Sequence, residues 1–281
     1  MKFDELNDKM RCFETTYDFC IPPELFMVAR IDGRSFSRLT KKTLPFDVPF
    51  DVGFRDHMVF TVRHLMNCGF RVIYGYTQSD EISLLLHKEE TLFDRKLRKY
   101  TSVLAGEASG AFSLQLGRAV SFDCRISVLP SDDLVVDYFR WRQEDAYRNA
   151  LNAHSYWALR KKGHGGAQAT EGLRGLTSEA KKQLLRSHDI DFQGLPEWQK
   201  CGIGVYSQIV PKRGENPLTG ETAIAERKQL MIDLELPRGE AYGELIRSLI
   251  QGLPLIVAET ASPAPARSSV HSGSADPSGT G

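Results

Sequence analysis

The chain has 281 residues, 41% of them hydrophobic, with 36 Lys+Arg against 36 Asp+Glu. This composition excludes a wholly disordered chain, and the length leaves room for one large or two modest domains. A formal net charge of zero argues against a nucleic-acid binder that relies on a general basic coat.

No run of about 18 apolar residues is present, so no membrane helix is expected. Residues 1–11 are polar and do not read as a signal or transit peptide. Five cysteines without CxxC spacing and seven histidines without HxxxH or HExxH spacing read as a reduced, cytoplasmic protein with neither disulfide nor zinc framework.

Residues 25–31 form a short apolar run suited to a buried strand, which stops at Asp32-Gly33-Arg34-Ser35-Phe36-Ser37. Phe54, Met58, Val62 and Leu65 recur at helical spacing and predict a helix over 51–67, ended by Cys68-Gly69. Residues 70–76 and 81–87 read as strands. The short polar link Thr77-Gln78-Ser79-Asp80 makes them an antiparallel hairpin. A second helix places Phe93, Leu97, Tyr100 and Leu104 on one face and ends at Gly117. Val120, Phe122, Cys124, Ile126 and Val128 then alternate with polar residues, the pattern of a half-buried strand.

The order β-α-β-β-α-β predicts an α+β fold, the ferredoxin-like split βαβ unit. Both helices should cover one face of a four-stranded antiparallel sheet. In that topology Asp32 lies close to Asp80.

The second half is less regular. Residues 133–162 predict a long aromatic-rich helical stretch, continuous or broken. Residues 163–175 are glycine-rich, and Thr177 is an N-cap for a helix to about Ser187. Residues 202–210 and 229–236 read as strands around a loop containing Asn216-Pro217-Leu218-Thr219-Gly220. The expected division is a core over 1–130 and a helical and hairpin extension over 131–260 that packs with it. Residues 261–281, mostly Ser, Pro, Gly, Ala and Thr, are expected to be a disordered tail.

The chemistry concentrates at Asp32-Gly33 and Asp80-Glu81. A carboxylate at the end of an apolar strand is costly unless it is paired or bound to a cation. Two brought together at one sheet edge repel, and a divalent cation removes the conflict. Carboxylates completed by carbonyl, water and phosphate oxygens suit Mg²⁺, and two such ions can activate a hydroxyl and stabilise a leaving pyrophosphate. The segment Gly33 to Ser37 offers backbone N–H groups to a triphosphate, and Arg34 and Arg38 offer charge. Between Tyr138 and Arg213 lie thirteen cations and seven anions. This surplus of +6 leaves −6 elsewhere, so charge balance over the whole chain does not exclude RNA bound by a restricted basic surface.

Ala29-Arg30-Ile31-Asp32-Gly33-Arg34-Ser35-Phe36 and Gln78-Ser79-Asp80-Glu81-Ile82-Ser83 resemble the two signature motifs of the tRNA(His) guanylyltransferase family. Phe122-Asp123-Cys124-Arg125, Trp141-Arg142-Gln143 and Tyr156-Trp157-Ala158-Leu159 fit in order and spacing, so the resemblance covers roughly residues 1–235.

That resemblance implies a palm like that of conventional polymerases and 3′-to-5′ addition of nucleotides to a tRNA 5′ end. The substrates would be tRNA with GTP and ATP or other nucleoside triphosphates, and the assembly a homotetramer. The implied catalytic residues are Asp32 and Asp80, with Glu81 in support. The implied metal ligands are Asp32, the Gly33 carbonyl and Asp80, holding two Mg²⁺ ions. The implied nucleotide contacts are Asp32, Gly33, Arg34, Ser35, Phe36, Ser37, Ser79, Asp80, Arg125 and Lys200.

Two places depart from the family pattern. Tyr147-Arg148-Asn149-Ala150 stands where enzymes acting on tRNA(His) without a template carry a His-Ile-Asn-Asn-type motif. This resembles the bacterial and archaeal guanylyltransferase-like proteins, which are associated with template-dependent repair of truncated 5′ ends. Val48-Pro49 stands where the family often has Lys-Pro, which leaves activation to another cation such as Lys41 or Lys42, or to RNA with 5′-triphosphate ends. Two competing readings remain. One is a nucleotide cyclase, since Ser79-Asp80-Glu81-Ile82 also resembles the hairpin motif of diguanylate cyclases. The other is a non-catalytic RNA-binding module.

Overall fold

Met27, Ala29 and Ile31 are buried on one face of strand β1 (Phe26–Gly33), while Phe26 and Val28 are buried on the other. A strand buried on both faces must be central, and β1 has neighbours on both sides. It pairs antiparallel with β3 (Glu81–Leu86) and with β4 (Phe122–Leu129). Beyond β3 lies β2 (Val72–Gln78), giving the order β4-β1-β3-β2 expected of the split βαβ unit.

The computed structural model describes residues 2–40, 46–215 and 222–253. Lys41, Lys42, the loop around Asn216 to Gly220 and the tail 261–281 lie outside the described residues.

The predicted helices appear as α3 (Val52–Leu65), capped by the Asp51 carboxylate accepting from Phe54 N–H, and α4 (Leu97–Leu116), closed by Gly117 in the left-handed region at φ 67°. They pack on the face that buries Met27, Ala29, Ile31, Leu84 and Leu86. Gly75 permits that contact, because a Cβ there would meet Val62 Cγ1 at 2.5 Å.

Among the described residues the sheet has six strands and not four. A long hairpin, β5 (Ile203–Glu215) and β6 (Thr222–Asp233), joins the edge of β2 through Tyr74–Tyr206 to Thr77–Ile203 and completes the order β4-β1-β3-β2-β5-β6. Sequence patterning marked these strands as a long-looped hairpin, which their pairing bears out, but did not place that hairpin against β2.

The second sheet face is covered by α5 (Asp132–Lys161) and α9 (Glu240–Ile250). α5 is one unbroken helix of 30 residues, about 45 Å long at about 1.5 Å per residue. Ser131 caps it. Val135, Val136 and Phe139 pack under the sheet with Tyr242 and Ile246 of α9. The far half of α5 carries α6 (Gly166–Leu173), α7 (Ser178–Arg186) and α8 (Glu197–Cys201). Thr177 caps α7 by accepting from Ala180 N–H.

Helices α1 (Phe3–Glu14), α6, α8 and α9 lacked a clear sequence signal. No residue of α1 is buried, so its helix owes nothing to a core stripe.

Phe93 also departs from expectation. Phe93, Asp94 and Arg95 form a turn with φ of 54°, 53° and 56°, and the helix begins only at Leu97. Three consecutive left-handed residues are strained. The buried Arg95 guanidinium offsets this by donating to the carbonyls of Ile21, Leu25, Lys88 and Glu90. Among the described residues no helix is long and apolar enough to cross a membrane.

Candidate active site

The face of the sheet toward α5 changes character along β1. Val28 pairs in register with Leu85 and Ser127. Two residues on, Arg30 pairs with Ser83 and Arg125, and two further Asp32 pairs with Glu81 and Asp123. Alternation keeps these positions on one face. The sheet therefore ends in a row of carboxylates, Asp123–Asp32–Glu81, above a row with two arginines, Arg125–Arg30–Ser83.

The rows are cross-linked. Arg30 forms an ion pair with Glu81 and lies 3.8 Å from Asp32, and Arg125 lies 3.8 Å from Asp123. From α5, Arg142 donates to Glu81 at 2.7 Å and to Asp145 at 3.2 Å, with its guanidinium 4.7 Å from the Trp141 ring centre. Burial pushes the Glu81 carboxyl above its ordinary range, and Arg142 and Arg30 oppose that shift. Glu81 is thus committed to two arginines. The Asp32 side chain is 34% exposed and is not among the described residues that line the cleft over the hairpin tip.

Asp80 sits in the two-residue turn between β2 and β3, where Ser79 adopts φ 54°. Gly33 N–H donates to the Asp80 carbonyl at 3.0 Å, so the end of β1 is sewn to the hairpin tip. Ser79 Oγ donates to Asp80 Oδ1 at 3.0 Å. Gln78 Oε1 accepts from Ser79 N–H, and Gln78 Nε2 donates to the Gln199 carbonyl at 2.8 Å, which braces the turn against α8.

Over this turn opens a cleft of about 660 Å³. Gln78, Ser79, Asp80 and Glu81 line one part of it. Arg142, Asn149, Tyr156 and Trp157 line it from α5, and Phe36, Phe50 and Phe54 line it from the other side. Asn149 and Ala150, at the place of the first departure from the family pattern, both face the cleft. Pro49 and Phe50, beside the Val48 departure, line it too.

The other expected nucleotide contacts are distributed unevenly. The Phe36 ring is 2% exposed and wedged among Phe54, Phe112 and Phe122. It begins α2 (Phe36–Arg38), a single turn to which Ser37 also belongs. Arg34 and Ser35 line a separate basin on the other side of Phe36 and not the cleft. The N–H groups of Gly33 and Arg34 are consumed by the Asp80 and Ser121 carbonyls, so neither is left for a phosphate.

Arg125 shares the Asp32 face, one register row deeper, on the edge strand. Lys200 is not brought to the cleft. Its side chain is buried, and its ammonium donates to the Gln193 carbonyl and to Glu197 Oε1, both at 2.6 Å. Sequence reasoning passed over Arg30 and Arg142 as chemical partners. The spacing of Arg30 two residues before Asp32 on a strand was the available signal.

The chain matches known proteins along most of its length. Residues 7–130 match the family model described as tRNAHis guanylyltransferase, and residues 133–233 match the one described as Thg1 C terminal domain. Over 190 residues the chain is 32% identical to the tRNA(His) guanylyltransferase of Schizosaccharomyces pombe, covering 64% of this chain and 72% of the relative. Among solved structures, a bacterial tRNA(His) guanylyltransferase (Thg1)-like protein in complex with GTP aligns with TM-score 0.66 and 26% identity, over 88% of this chain and 99% of that one. A structure of such a bacterial protein in complex with ATP aligns with TM-score 0.67 and 25% identity, over 89% of this chain and 100% of that one.

Proposed function

The chain belongs to the tRNAHis guanylyltransferase family, and from that premise we propose that it adds nucleotides, guanylate foremost, to the 5′ end of tRNA in the 3′-to-5′ direction. Its role in this proposal is template-dependent repair of truncated 5′ ends, carried out by a cytoplasmic homotetramer. The observation that carries the reading is the Gly33–Asp80 hydrogen bond, which joins the end of the strand carrying Asp32 to the hairpin tip whose Asp80 lines the cleft. The likeness to bacterial relatives solved in complex with GTP and with ATP supports the choice of nucleotides.

The donor set fits Mg²⁺. Asp32, Asp80 and the Gly33 carbonyl are hard oxygen donors without nitrogen or sulfur. Among the described residues no group of three or more His, Cys, Asp and Glu side chains is disposed to hold a metal ion. The proposed set is therefore two carboxylates, completed by carbonyl and substrate phosphate oxygens. When bound, two such ions supply charge neutralisation at the attacking and leaving oxygens.

The remaining work is positioning. In the reaction the RNA 5′-phosphate displaces pyrophosphate from ATP. The 3′-hydroxyl of the incoming GTP then attacks the activated 5′-phosphate and displaces AMP. An RNA that already carries a 5′-triphosphate releases pyrophosphate and needs no activation. Ser79 and Asn149, which line the cleft, would offer polar groups to a triphosphate, and Tyr156, Trp157 and Phe50 would offer faces for stacking of bases. The Arg30–Glu81–Arg142 cluster holds the end of β1 against α5, so that Asp32 keeps its place.

The test is incubation of purified protein with labelled GTP and a 5′-truncated tRNA bearing a 5′-triphosphate. The proposal expects the RNA to lengthen at its 5′ end, with the added residues set by the opposing strand. No added nucleotide refutes it. A cyclic dinucleotide formed from GTP without RNA identifies a cyclase instead. RNA affinity that survives loss of both aspartates, with no nucleotide addition, identifies a binding module.

A further inference from the structure

Phe36 lines the cleft on one side and a second basin of about 510 Å³ on the other. Among the described residues, the charged side chains lining this basin are Arg34, Arg38 and Arg118, with no acidic one. Two segments far apart in sequence form its banks. One runs from the end of β1 into α2, and the other links α4 to β4. Backbone bonds fix their separation: Arg34 N–H donates to the Ser121 carbonyl at 2.9 Å, and Arg118 N–H to the Ser113 carbonyl at 3.2 Å, just after the left-handed Gly117.

The arginines are exposed, and among the described residues the Arg34 and Arg118 side chains have no ion-pair partner. The acid nearest in sequence on the second bank, Asp123, lies beside Arg125. The like charges of Arg34 and Arg118 on the two banks raise the potential of the concavity and favour an anion whose charges are spaced.

We infer that the Arg34–Arg38–Arg118 basin binds backbone phosphates of the RNA substrate, beyond the 5′ end that occupies the cleft; this rests on the function proposed above. Two features favour a phosphodiester backbone over a free nucleoside triphosphate. The guanidinium groups are exposed on open banks, as suits backbone contacts that set register and carry no sequence. The basin also lies across Phe36 from the carboxylates, which places it beside the reacting end and not at it. The inference gives Arg34 a different partner from the nucleotide expected from sequence.

Arg118 separates the possibilities, because it lies outside the proposed catalytic cleft and its exposed side chain makes no contact that folding requires. The experiment measures binding of a duplex acceptor-stem RNA, in two sequences, to wild type, Arg118→Ala and Arg118→Glu across a salt series, with GTP binding measured in parallel. The inference expects affinity for both RNAs to fall several-fold for Arg118→Ala and about tenfold for Arg118→Glu. The slope of log K against log salt should fall by about 1 for the alanine variant, with GTP affinity unchanged. Unaltered RNA affinity and slope in both variants overturns the inference. So does a loss of GTP affinity matching the loss for RNA, which makes the basin a triphosphate site. Its readout is RNA binding, whereas the proposed function is read by nucleotide addition, so either can fail alone.

Discussion

The amide of Gly33 donates to the carbonyl of Asp80 at 3.0 Å, and this backbone bond joins the end of β1, which carries Asp32, to the hairpin tip that carries Asp80. The pairing of Asp32 with Glu81 one residue away reinforces it. Side-chain chemistry at Asp32 and Asp80 can therefore be changed without undoing the junction that brings them together.

Gly33 itself tolerates no side chain. A Cβ there would lie 2.5 Å from Phe36 Cδ2, and that ring is held by Phe54, Phe112 and Phe122. Gly33→Ala should lose about 2 kcal/mol of stability through overpacking and reduce nucleotide addition more than RNA binding. Thermal unfolding together with turnover checks this, and unchanged values for both contradict it.

Glu81 tests whether the second acidic motif position binds metal or positions neighbours. Its carboxylate is shared between Arg30 and Arg142, and the Arg142 side chain is only 7% exposed. Glu81→Gln should cost about 2 kcal/mol, between the value of a surface pair and that of a fully buried one. The maximal rate should fall while the Mg²⁺ concentration giving half the rate stays the same. A raised Mg²⁺ requirement would show that Glu81 is a ligand.

His154 links stability to pH. Burial lowers its ring to about 4 from an ordinary 6.5, although Nε2 contacts Gln199 Oε1 at 3.1 Å. The folded ring therefore stays neutral while the unfolded one takes up a proton, so stability present above about 6.5 is lost as pH falls toward about 4. His154→Gln removes this dependence. The stability difference between wild type and variant should shrink as the solution is acidified through that window, and a constant difference would rule the linkage out.

Much of the fold could be read from the first 130 residues because their apolar periodicities are strong and their breaks are chemical. Alternation marks the strands, Asp51 and Gly117 mark helix ends, and Ser79-Asp80 marks the hairpin tip. What escaped depends on contacts distant in sequence. Strands β5 and β6 were visible as strands, but only pairing of Tyr74 with Tyr206 shows that they extend the same sheet. Helix α8 is five residues long and owes its place to Gln199 and to the Tyr76 hydroxyl donating to the Cys201 carbonyl at 2.9 Å.

The same distinction applies to the site. Asp32 and Asp80 announce themselves as carboxylates ending apolar strands. By contrast, the burial of Lys200 follows from Glu197 and Gln193 folding over it, and no feature of Gln199-Lys200-Cys201-Gly202 separates a buried lysine from a phosphate contact. Likewise the aim of Arg34 into the second basin depends on the Ser121 carbonyl holding its backbone.

In the proposed function Asp32 and Asp80 form one centre that drives addition at an RNA 5′ end. Its most direct test is the single-turnover rate of guanylate addition to a 5′-truncated tRNA by wild type, Asp32→Asn and Asp80→Asn, with RNA and GTP saturating. Each variant should lose about a thousand-fold or more, with an unchanged circular dichroism spectrum and RNA affinity. A rate within tenfold of wild type in either variant would contradict it.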